Sequence, residues 1–144
     1  MIARLLALPA IAAASIATMA TAQDDVSETT VATYVPTVDP DAFGRAPLEE
    51  RKTGVTVDPA AVRMIVPGLE KFSIYRLIGP PHFGEGITRR WNYVLFFPLE
   101  PGSMERVRCR MEIRFEKPKG RYHVVVSEVV WKDQACADRV AAAG

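Results

Sequence analysis

The chain is poor in the residues that most often carry chemistry. Its 144 residues include two histidines and two cysteines. His82 and His123 stand at no metal-ligand spacing from each other or from a cysteine. His82 reads as a loop residue that caps or packs, and His123 as the rim of a strand. Ser73, Ser103 and Ser127 lie in no nucleophile signature. Gly84-Glu85-Gly86 is a flexible elbow and lacks the strand-to-helix setting of a phosphate loop. Without a convergent acid, base or nucleophile, catalysis is not expected, and neither is a cofactor or a metal. Charge of one sign is lacking too: 18 Lys and Arg stand against 17 Asp and Glu, so net charge lends no support to nucleic-acid binding.

No long uninterrupted apolar run is present. The most apolar stretch, Leu5 to Ala14, follows a lone Arg4, and Pro9, Ser15, Thr18 and Thr21 dilute residues 5–22. A spanning helix needs about 20 predominantly apolar residues. A single positive charge, a short apolar run and the small-x-small ending Ala20-Thr21-Ala22 instead predict a secretory signal peptide over 1–22. Cleavage before Gln23 leaves 122 residues, enough for one small domain. The mature protein is then expected to be exported, periplasmic, and soluble or only peripherally associated with the outer membrane.

Export decides how Cys109 and Cys136 are read. In an oxidising compartment an even pair is a disulfide by default, with two buried thiols or one reactive cysteine as the alternatives. A bridge there would close 28 residues, worth about 3.6 kcal/mol of loop entropy.

Residues 23–57 are acidic, rich in Thr and interrupted by Pro36, Pro40 and Pro47, with no sustained period. They read as an extended tether containing a short contact segment, Val35 to Phe43. The charge is −5 over 23–60 and +5 over 61–144.

The folded domain is expected over 58–140. Asp58-Pro59 is an N-cap followed by a first-turn proline, predicting a helix over 59–66 with Val62, Ile65 and Val66 on one face. Pro67-Gly68 ends it. A second helix is predicted over 69–78, stopped by Gly79 and Pro80-Pro81. Three strands follow: 91–97, then 106–115 with strict alternation, then 122–131. The predicted fold class is α+β, two short helices packed on a three-stranded antiparallel sheet (ααβββ).

The run from Gly68 to Gly86 resembles the segment G-M-(S/T)-K-x-x-V-x-x-L-L-G-x-P-H-F-x-E-G of the SmpA/OmlA (BamE-like) family of outer-membrane assembly factors, and Arg90-Trp91-Asn92-Tyr93 is similar to its R-x-W-x-Y strand. The chain departs from the pattern at Glu70 and Phe72 and has no cysteine for lipidation near the expected cut. Gly68, Gly79, Pro81, His82, Phe83, Trp91 and Tyr93 carry the motif, and their chemistry is that of a scaffold. The resemblance implies a Gram-negative envelope protein that binds other envelope or outer-membrane proteins. An inhibitor or accessory protein of a secreted enzyme or secretion system is the alternative, since beta-lactamase inhibitory proteins reuse a similar unit in two copies.

One surface stands out. Arg106, Arg108 and Arg110 share one side of a strand, with Arg89, Arg90, Val94 and Phe96 brought beside them if the first two strands pair. Arginines next to apolar side chains suit a protein interface or an anionic lipid headgroup, and a solvated sheet face balanced by Glu112 and Glu116 is the alternative.

Overall fold

The computed structural model describes residues 34–43, 53–86 and 88–144. The expected signal peptide lies outside these residues, as does much of the expected tether. Three long strands form the centre: β3 (Arg90–Pro98), β4 (Arg106–Glu116) and β5 (Val125–Trp131). They pair antiparallel as a meander, β3 to β4 over the whole of β3, and β4 to β5 with a bulge between Arg114 and Phe115. Alternation places Trp91, Tyr93, Leu95 and Phe97 of β3 on one face. Cys109, Met111, Ile113 and Phe115 of β4 share it, and all eight are buried. Each such side chain contributes roughly 1.5–3 kcal/mol when removed from water.

Two further strands correct the expected three-stranded antiparallel sheet. β1 (Thr37–Val38) pairs parallel with β5, and β2 (Val55–Thr56) pairs parallel with β3. The sheet is five-stranded and mixed, in the order β1-β5-β4-β3-β2. Each added strand is two residues long and sits at an edge, too short to carry any period. They meet a physical need, because the unpaired outer edges of β3 and β5 would expose rows of N–H and C=O groups. Segment 68–71 covers β5 further along, where Val126 N–H donates to Leu69 O and Lys71 N–H to Val124 O. On β3, Phe83 bridges Asn92 in the same way.

Three helices cover the apolar face. In α1 (Pro59–Arg63) the Asp58 carboxylate accepts from Ala60 N–H at 2.9 Å, and Val62 is buried. Ile65, beyond the last helical turn, is buried as well. α2 (Ser73–Ile78) keeps the predicted apolar face but begins later than the predicted residue 69, because Gly68 to Lys71 are drawn out against β5. It ends at Gly79, whose φ of +81° is the left-handed geometry that favours glycine. α3 (Gln134–Ala141), a helix the sequence reading lacked, buries Cys136, Ala137 and Val140. A disulfide joins Cys109 of β4 to Cys136 of α3 across a Cα–Cα distance of 5.9 Å. Among the described residues no helix is long and apolar enough to cross a membrane.

Candidate functional site

The second face of the sheet carries the even-numbered residues of β3 and β4. Register sets Arg90 opposite Arg114, Asn92 opposite Glu112, Val94 opposite Arg110 and Phe96 opposite Arg108. The structure therefore brings Arg90, Val94, Phe96, Arg106, Arg108 and Arg110 of the sequence-predicted surface onto one side, with Arg89 just before β3, but it does not leave them equally open.

The middle of that face is covered. Phe43, just beyond a 3-10 turn at Pro40–Ala42, lays its ring 5.4 Å from the Arg110 guanidinium, and Arg110 is only 7% exposed. Val94 is fully buried and Phe96 half-buried. The chain passes so close at Gly54 that a Cβ there would collide with the Phe96 ring. Beside Arg110 a charged chain runs across the sheet. Glu112, 4% exposed, accepts from Asn92 Nδ2 at 3.3 Å and from Arg114 Nε at 2.9 Å. Arg114 Nη1 donates to Glu128 Oε2 at 2.9 Å, and Arg114 Nη2 lies 3.9 Å from Asp39. The hydrogen bond to Glu112 is the main reason Arg114 holds its proton even more firmly than usual.

Two arginine groups remain at the ends. Arg106 and Arg108 are exposed at the start of β4, where Arg106 Nη1 donates to Thr56 Oγ1 at 2.9 Å across β3. Arg89 and Arg90 are exposed at the start of β3, and the Arg89 carbonyl accepts from Phe115 N–H. Six residues of strand separate Arg90 from the position of Phe96 and Arg108, about 20 Å. The single row expected from the sequence is thus two separate groups with a covered middle. Phe43 and Asp39, which do the covering, belong to the acidic segment. Asp39-Pro40 repeats the cap-and-proline pattern of Asp58-Pro59 and was the available signal for an ordered turn there.

The motif residues brace β3. His82 and Phe83 donate their backbone N–H groups to Asn92 O, and His82 Nδ1 accepts from Val94 N–H at 3.3 Å. The imidazole meets the Tyr93 ring edge-on at 6.1 Å, and burial pushes its pKa down. Tyr93 Oη donates to Gly79 O at 3.1 Å, and burial raises its pKa far above the ordinary tyrosine value. Tyr75 Oη donates to Glu85 Oε1 at 2.5 Å, which raises the Tyr75 pKa. Pro81 and Trp91 are buried, and Gly68 turns the chain between α1 and the stretch lying on β5. His82 is thus engaged as an acceptor inside the fold. His123 sits at the rim 3.5 Å from Glu70. Among the described residues no group of three His, Cys, Asp or Glu side chains could hold a metal ion.

Compared with known protein families, the chain matches no family model.

Proposed function

We propose that this chain is a non-enzymatic binding or scaffold protein of the exported envelope, of the SmpA/OmlA kind, that assists outer-membrane or envelope assembly by docking on other proteins. The observation that carries this reading is the pair Arg106 and Arg108, exposed side by side at the start of β4 while neighbouring Arg110 and Val94 on the same face are buried. Guanidinium groups on a rigid strand suit bidentate recognition of carboxylates on a partner. The disulfide suits an oxidising compartment.

The test is affinity capture from crosslinked envelopes with Arg106→Glu/Arg108→Glu beside the unaltered chain. Arg106 donates to Thr56, and circular dichroism with thermal unfolding checks that the double variant folds. Capture of envelope partners should fall sharply. Equal capture by a folded double variant would sink the reading, and recovery of one secreted enzyme would favour an inhibitor instead. Arg110 is the wrong position for this test, since reversing its charge beneath Phe43 would disturb the fold itself.

A further inference from the structure

A second surface lies at the end of the sheet where β3 runs into β4, next to Arg106. An open groove of about 920 Å³ is bounded by the entry to α1, the β3–β4 connection and α3. Its size falls within the range of about 300–1,000 Å³ usual for ligand sites. Val57, Pro59, Pro98, Leu99 and Pro101 line it together with small residues of α3 and its end, such as Ala135 and Ala142.

The polar character of the lining is one-sided. Proline has no N–H, so three lining residues donate nothing. The N–H groups of Val57, Leu99, Ala142 and Ala143 are already given to Phe96 O, Glu105 O, Asp138 O and Val140 O. Arg139 turns its Nη1 to the carbonyls of Pro98 and Leu99, at 3.4 and 3.3 Å. Asp58, Glu100 and Asp138 add three exposed carboxylates. Arg139 is the cation of the lining against these three carboxylates, so the apolar trough carries an acidic excess of two charges. It suits a ligand that brings its own donors and positive charge beside apolar groups.

We infer that this groove is a docking site for a partner segment in which leucine-like side chains are flanked by lysine or arginine. The apolar side chains pack on the proline-rich lining, and the cations meet Glu100 and Asp138 at the rim. The groove adjoins Arg106, which donates to its lining residue Thr56, but its carboxylates and apolar lining include neither arginine, so the peptide titration and the envelope capture can fail separately.

The test titrates the isotope-labelled full chain with acetyl-Lys-Leu-Lys-Leu-Lys-Leu-amide and follows backbone amide resonances. Two comparison peptides replace every Lys by Glu or every Leu by Ser. The Lys–Leu peptide should shift Val57, Leu99, Ala135 and Ala142, and both comparison peptides should bind at least tenfold more weakly. Glu100→Lys/Asp138→Lys alters two exposed positions, and circular dichroism checks that it folds. It should lose the Lys–Leu peptide and prefer the Glu–Leu one. Equal binding of the Lys–Leu and Glu–Leu peptides would show an apolar site without charge selection and overturn the proposal. So would shifts elsewhere, or no binding at millimolar peptide. Sedimentation of the chain alone showing a dimer that the peptide does not displace would assign the groove to a second copy and overturn it too.

Discussion

At the scale of single residues, several polar side chains are engaged by the fold itself. His82 illustrates this, since its Nδ1 accepts from Val94 N–H and so must be unprotonated. With its folded pKa below the ordinary value of about 6.5, protons favour the unfolded chain as pH falls through that value. Urea unfolding should show stability declining below about pH 6.5. His82→Phe should lack that part of the decline while being about 1 kcal/mol less stable at pH 8, where the Val94 N–H has lost its acceptor. Arg114 makes the complementary case. Arg114→Met would leave the nearly buried Glu112 carboxylate with Asn92 as its remaining side-chain partner. The expected cost is about 3 kcal/mol in denaturant titrations, well above the 0–1 kcal/mol typical of a surface pair.

At the scale of elements, a three-strand meander is made usable by short additions to both its edges. β1 and the residues before it are anchored by Tyr34, whose hydroxyl oxygen accepts from Val129 N–H at 2.9 Å, and by Asp39 N–H donating to Trp131 O at 3.0 Å. Tyr34→Phe should speed hydrogen exchange at Val129 by about tenfold and leave Ile113, in the middle of the sheet, unchanged. The long strands were legible because ten residues of strict alternation in β4 admit one reading. α1 was legible from Asp58-Pro59, and the cysteine pair from arithmetic and context. β1 and β2 were not, since two residues have no period and their pairing is decided by an edge far away in sequence. α3 escaped because its buried stripe is made of small residues, Cys136 and Ala137, with Val140. α2 was drawn too long because residues 69–71, placed in the predicted helix, take backbone partners on β5 instead. For the surface, facing direction could be read from alternation, whereas cover by Phe43 and Gly54 could not.

At the scale of the whole molecule, the disulfide ties the centre of the sheet to the last helix, closing 28 residues. Cys109→Ala/Cys136→Ala should lower unfolding free energy by about 3–4 kcal/mol, and a reductant should mimic it. On the polar face of the described sheet, Arg110 lies under Phe43 while Arg106 and Arg108 are exposed at the start of β4. Docking through that pair is the central claim, and in-cell photocrosslinking tests it most directly. A photoreactive amino acid in place of Arg108 should give discrete adducts with envelope proteins. A folded, abundant protein that yields no adduct from position 108 would contradict the account.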